Sequence, residues 1–155
     1  MSEKIICYFS ASGVTKGVAE KLASAINGDL FEIKPKQKYT LEDLDWTNKQ
    51  SRSSIEMNDK SSRPEITKKI ENINKYDTVV IGFPVWWYTA PTIINTFIEE
   101  NNLVGKKIYV FVTSGSSGSE GSFRDLRNTY PTLEFISSRR FTGRENEEEF
   151  RNWIA

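Results

Sequence analysis

The chain has 155 residues, enough to bury one proper core and too few for two ordinary domains, so one domain spanning 1–155 is expected. Lys plus Arg and Asp plus Glu each number 21, and a formal charge of zero leaves no excess positive field to gather nucleic acid or an acidic membrane. A single cysteine and no histidine exclude an intramolecular disulfide, a Cys-x-x-Cys site and any mechanism with a histidine base, and no metal site is expected. Met1-Ser2-Glu3-Lys4 leads into an apolar run too short for a secretory signal, and no run approaches the ~20 apolar residues of a membrane span, so a cytoplasmic protein is expected.

The first strand is expected at residues 5–9, near-continuous in apolar side chains, with the lone Cys7 as a small buried hydrophobe. Val18, Ala19, Leu22, Ala23 and Ile26 then recur at the spacing of one helical face, and a second strand follows at 30–33. Residues 36–62 are polar and longer than loops inside compact domains usually are. Their own apolar residues, Tyr39, Leu41, Leu44 and Trp46, favour a functional covering loop over a disordered insert. Ile66, Ile70 and Ile73 predict a helix, with Pro64 in its first turn, before a third strand at 78–83. Ile93, Ile94, Phe97 and Ile98 mark the next helix, opened by Pro91, and a fourth strand is expected at 108–113. A weaker helix at 122–130, a weaker strand at 133–136 and a final helix at 145–153, burying Phe150, Trp153 and Ile154, complete the chain. Strand alternating with helix implies right-handed crossovers and a parallel sheet covered on both faces, with ligands beyond the carboxyl ends of the strands.

Three loops should meet at that edge. After the first strand, Ser10-Ala11-Ser12-Gly13-Val14-Thr15 joins small residues and hydroxyls to a helix N-terminus, a candidate anion cradle. Lys16 follows the threonine instead of preceding it, so the loop is not a P-loop and its phosphate-bearing guest is not expected to be ATP. After the third strand, Pro84-Val85-Trp86-Trp87-Tyr88 sets three large aromatics in a row. They cannot all be core, and an exposed one offers a stacking surface for a flat heteroaromatic ring, a protein interface patch being the alternative use. After the fourth, Thr113-Ser114-Gly115-Ser116 and the residues to Gly121 carry so little bulk that backbone amides can approach a ligand edge.

Together these loops, with Tyr39, Trp46, Arg52, Glu56 and Arg63-Pro64 of the middle segment, resemble the flavodoxin family, in particular short flavodoxin-like proteins that bind FMN without a fused reductase domain. The resemblance spans nearly the whole chain and implies an α/β, three-layer flavodoxin-like fold: a five-stranded parallel sheet of order 2-1-3-4-5 with helices on both faces. It further implies that Ser10, Ser12, Val14 and Thr15 hold the FMN phosphate. Pro84, Val85, Trp86, Trp87, Tyr88, Ser114, Gly115 and Ser116 would neighbour the flavin, with Ala11, Gly13 and Thr113 in the same loops.

Two features depart from the family pattern. Electron-carrying flavodoxins are typically strongly acidic, whereas this chain is neutral, and its third loop has no aromatic before Phe123, a role Trp46 is a candidate to fill. The third loop also carries Glu120 and no basic residue, from which a low potential for the second electron is expected. Catalysis would need no protein acid or base, because the flavin carries the chemistry. An electron carrier serving redox partner proteins or a small acceptor is the leading expectation, as a monomer or weak dimer. The alternatives are an NAD(P)H-dependent oxidoreductase of the quinone reductase kind, with Arg52, Arg63, Arg139, Arg140 and Arg144 as candidate cations for nucleotide phosphates, and a cofactor-free interaction module.

Overall fold

Hydrophobic alternation within the first strand sorts the core into two layers. In the computed structural model, which describes residues 3–154, β1 (Lys4–Tyr8) sends Ile5 and Cys7 to one face and Ile6 and Tyr8 to the other, all buried. It lies between β2 (Asp29–Glu32) and β3 (Thr78–Pro84); β4 (Lys107–Thr113) and β5 (Glu134–Arg140) extend the sheet to the order 2-1-3-4-5, every pairing parallel. Apolar residues bury both faces of β1, β3 and β4, as in interior strands under helices on both sides.

One face is covered by α1 (Val14–Ile26) and α5 (Glu147–Ile154). Val18, Leu22, Phe150 and Ile154 there pack with Ile6, Val80, Phe111 and Phe141. Gly82 sits under the Phe111 ring, where a Cβ would collide with it. The other face is covered by α3 (Thr92–Glu100) and α4 (Glu120–Thr129), whose Ile93, Ile94, Phe97 and Leu126 pack with Phe9, Ile81, Phe83 and Val110. Pro91 stands just before the first residue of α3. Among the described residues no helix is long and apolar enough to cross a membrane.

Three expectations are corrected. The helix sought through Ile66, Ile70 and Ile73 does not form. Ile66 bridges Pro35, the Ile70 N–H donates to Asn101 Oδ1 at 3.0 Å, and Asn72 turns left-handed at φ 56°, ahead of a short 3-10 turn at Ile73–Lys75. Tertiary hydrogen bonds here replace the helical ladder while Ile66 and Ile70 stay buried, and Pro64 lies in irregular chain instead of a first turn. The helix instead forms inside the polar segment, as α2 (Arg52–Asn58), where the Ser51 hydroxyl accepts from the Ser54 N–H. Finally, β5 runs four residues beyond Ile136, to Arg140. Its register on β4 slips by one at Ile136: Phe135 faces Ile108, but Ser137 faces Tyr109 and Arg140 faces Val112.

Candidate functional site

At the carboxyl edge of the sheet the three loops line a cleft of two adjoining cavities of about 590 and 480 Å³, which share Ser12, Pro84, Val85 and Trp86. The larger runs from Ser12 and Val14 across Ser114 and Gly115 to Arg140, Thr142 and Arg144. The smaller is walled by Ala11, Trp87, Tyr88 and Ser117 together with Leu44, Trp46 and Ser53 of the middle segment.

The first loop is shaped by its own hydrogen bonds. Ser10 Oγ accepts from the Gly13 N–H at 3.0 Å, and Gly13 takes φ 97°, a conformation costly for any side chain with a Cβ. α1 then starts with no side-chain cap, so the free N–H groups of its first turn are available to an acceptor from the cleft. Ser12 and Val14 are exposed at the cleft; Thr15 is buried, and its hydroxyl bonds Thr113 Oγ1 at 2.7 Å. That bond ties the first loop to the end of β4. Lys16 is exposed and lines neither cavity.

The second loop is a tight turn. Trp86 and Thr89 exchange both backbone hydrogen bonds at 3.0 Å, and between them Trp87 and Tyr88 both have positive φ, 49° and 65°. Turns of this mirror-image kind ordinarily carry Asn and Gly. Trp86 points inward, edge-on to Phe9 and Tyr39 with ring centroids 5.7 and 5.5 Å away, whereas Trp87 and Tyr88 are 45% and 80% exposed. The turn leans on α4: the Thr89 hydroxyl donates to Asp125 Oδ2 at 2.6 Å, and Gly121 leaves room for the Tyr88 carbonyl, which would lie 2.8 Å from a Cβ there.

The third loop is held from β5. The Arg140 guanidinium donates to Ser114 Oγ at 3.1 Å and to the carbonyls of Ser114 and Gly115 at 2.9 and 2.8 Å. The Ser114 hydroxyl in turn donates to the Ser117 carbonyl at 2.5 Å. The premise of a third loop without fixed positive charge is therefore overturned: the cation arrives from the next strand, and it favours negative charge at the cleft instead of opposing it.

The polar segment covers the cleft's outer side. Tyr39 is edge-on to Phe9 at 5.5 Å, its hydroxyl donates to Glu56 at 2.5 Å, and Arg52 lies 3.8 Å over its ring while pairing with Glu56 at 2.9 Å. Burial first, then the Glu56 hydrogen bond and charge, push the Tyr39 phenol far above its ordinary range, so it stays protonated. From this anchor the chain carries Leu44 and Trp46 to the aromatic cavity, with Trp46 72% exposed.

Of the residues singled out from the sequence, Ala11, Ser12, Val14, Pro84, Val85, Trp86, Trp87, Tyr88, Thr113, Ser114 and Gly115 line the cleft. Ser10, Gly13 and Thr15 shape it from behind, and Ser116 is exposed outside both cavities. Ser117 lines it from within the third-loop stretch, and Ser53, Phe141 and Thr142 line it without having been singled out. Their only sequence signal was position, next to a loop or strand end already suspected. Of the five candidate arginines, Arg52, Arg63 and Arg139 are paired with Glu56, Glu99 and Glu149, while Arg140 and Arg144 reach the cleft.

Comparison with known proteins bears on the family and the fold. A family model described as Flavodoxin matches residues 3–155. A crystal structure of a protein from Bacteroides eggerthii, assigned as a flavoprotein, is 50% identical with a TM-score of 0.97, over 99% of this chain and 96% of that one. A flavoprotein from Lactobacillus acidophilus, solved in complex with FMN, is 25% identical with a TM-score of 0.78, over 100% of both chains. An uncharacterised NAD(P)H oxidoreductase of Escherichia coli is 31% identical over 55 residues, which cover 36% of this chain and 24% of that protein.

Proposed function

The chain belongs to the flavodoxin family, and from that premise we propose that it binds FMN in this cleft and passes electrons between partner proteins or to a small acceptor. One observation carries the reading: an uncapped helix start, a hydroxyl-bearing turn and an aromatic wall share a single cleft at the carboxyl edge of the sheet. These residues fit the cofactor. Ser12 and the first-turn N–H groups of α1 are donors suited to a phosphomonoester, with Ser10 and Thr15 fixing their loop through Gly13 and Thr113. Trp86, Trp87, Trp46 and Tyr88 offer faces and edges to a flat ring, and Ser114 and Gly115 form the opposite wall. Bound there, FMN would supply the redox chemistry; the protein's share is to bind, orient and screen it from water.

A second reading, an NAD(P)H-dependent FMN oxidoreductase, is favoured by Arg140 and Arg144, which enter the cleft without a carboxylate partner among the described residues, and by the partial likeness to the Escherichia coli protein. Titration of apoprotein with FMN, followed by flavin fluorescence, tests the cofactor; a protein that leaves FMN unbound refutes both readings and leaves an interaction module. Steady-state oxidation of NADH or NADPH by the loaded protein with a quinone acceptor separates the two. A carrier shows negligible turnover and an oxidoreductase sustains it.

A further inference from the structure

The proposed phosphate loop contains no cation that reaches the cleft, yet the opposite wall contains two. Arg140 and Arg144 line the same cavity as Ser12 and Val14, although more than 120 residues separate them in sequence. Arg140 is partly buried and fixed, all its hydrogen-bond partners being neutral oxygens of Ser114 and Gly115. Arg144 is exposed, and its guanidinium has neither a hydrogen bond nor an ion pair among the described residues. The backbone bearing it is nonetheless fixed. Glu145 accepts from the Thr142 N–H at 3.0 Å and the Gly143 N–H at 2.9 Å, and the Lys21 ammonium donates to the Gly143 carbonyl at 2.6 Å. Glu145 is thus spent on backbone donors and is not paired with its neighbour. In a chain of zero net charge, two uncompensated guanidinium groups at one concave wall mark an anion site.

We propose that Arg140 and Arg144 form a phosphate ester site on the β5 side of the cleft, Arg140 as the fixed charge and Arg144 as the side chain that closes on the anion. The inference rests on the FMN reading for its first source, the cofactor's own phosphate. The second source is the phosphate of a nicotinamide nucleotide. In either case the cation is not Lys16, which lies outside the cleft.

The test uses full-length apoprotein, wild type and the Arg140→Gln/Arg144→Gln double variant, titrated with FMN and with riboflavin, which lacks the phosphate. Thermal midpoints with and without millimolar inorganic phosphate are measured in parallel. If the site holds the cofactor's phosphate, the preference for FMN over riboflavin falls at least tenfold in the double variant, because any loosening of the third loop acts on both flavins alike and leaves their ratio unchanged. If it serves a nucleotide instead, the preference is unchanged, while stabilisation by phosphate, present in wild type even when loaded with FMN, is lost in the variant. Equal stabilisation by phosphate in both proteins, with an unchanged flavin preference, overturns the proposal. So does a parallel loss of both flavins without loss of the phosphate effect, which would make the arginines mere supports of the third loop. A wild type that binds neither flavin refutes the FMN reading alone, because the phosphate measurement still decides the anion site.

Discussion

Trp87 and Tyr88 stand at positive φ, where a bulky side chain is costly, each by about 1 to 3 kcal/mol. Replacing them with the residues such a turn prefers, Trp87→Asn with Tyr88→Gly, is expected to raise apoprotein stability in urea unfolding by about 1 to 3 kcal/mol while weakening FMN binding. On the FMN reading, strain kept at this exposed aromatic pair is stability exchanged for a ligand surface. At the first loop, Ser12→Ala should weaken FMN binding by about 1 to 3 kcal/mol, as lost hydrogen bonds to a charged group do, and leave unfolding unchanged. Thr15→Val should also lower stability, because it strips a buried partner from Thr113 Oγ1. Titration calorimetry beside urea unfolding separates the two behaviours. Burial likewise pushes the Cys7 thiol well above its ordinary range, so native protein should resist thiol reagents until it unfolds.

At the scale of elements, α4 holds the aromatic turn and the β5–α5 loop holds Arg144. Gly121→Ala would set a Cβ 2.8 Å from the Tyr88 carbonyl and force backbone to move; FMN affinity should fall while the far-UV spectrum stays native. The Glu145 carboxyl is raised by burial, but hydrogen bonds from the N–H groups of Thr142, Glu145 and Gly143 and from the Thr142 hydroxyl outweigh this and hold it below the usual range. A depressed folded value stabilises above the unfolded value of about 4.3 and ceases to do so as pH falls through the folded one. The stability gap between wild type and Glu145→Gln, read from urea midpoints, should therefore be full at neutral pH and close in acid.

Which elements the sequence made legible follows from burial. β1, β3 and β4 are apolar on both faces and announce themselves. β5 is an edge strand whose Ser137, Ser138, Arg139 and Arg140 spend their polarity on Trp153, Ser119, Glu149 and Ser114, so hydropathy fades at Ile136 while the strand continues. That lost half-strand hid the fixed charge behind the third loop. The isoleucines at 66, 70 and 73 misled for the opposite reason: two of them are buried by chain that tertiary hydrogen bonds hold without a helix. Within the cleft, Ser12, Val14, Trp87 and Gly115 were legible because they adjoin strand ends, whereas Leu44 and Ser53 arrive through a segment whose path depends on Tyr39 packing against Phe9 and Trp86.

For the whole molecule, zero net charge places the cleft in a weak overall field, with the local positive charge at Arg140 and Arg144. On the carrier reading, electron delivery from FMN-loaded protein to a basic acceptor protein should then change little between low and physiological salt, unlike steered encounters of oppositely charged proteins. Stopped-flow rates across an ionic-strength series check this; a steep fall with added salt would contradict it. The aromatic rim of Trp46, Trp87 and Tyr88 would carry short-range contact in place of long-range attraction.

The single extra residue at Ile136 has a further consequence. Side chains paired across neighbouring parallel strands share a face, and the slip sets Arg139 beside Phe111 and Arg140 beside Val112. Were the strand to continue without the slip, Ile136 would face Tyr109 and the two arginines would trade faces: Arg139, now packed over Phe141 and paired with Glu149, would lie beside Val112 in the place of Arg140. The identity of the guanidinium at the cleft is thus a matter of phase, set by one irregularity in the strand pairing and not by the cleft itself.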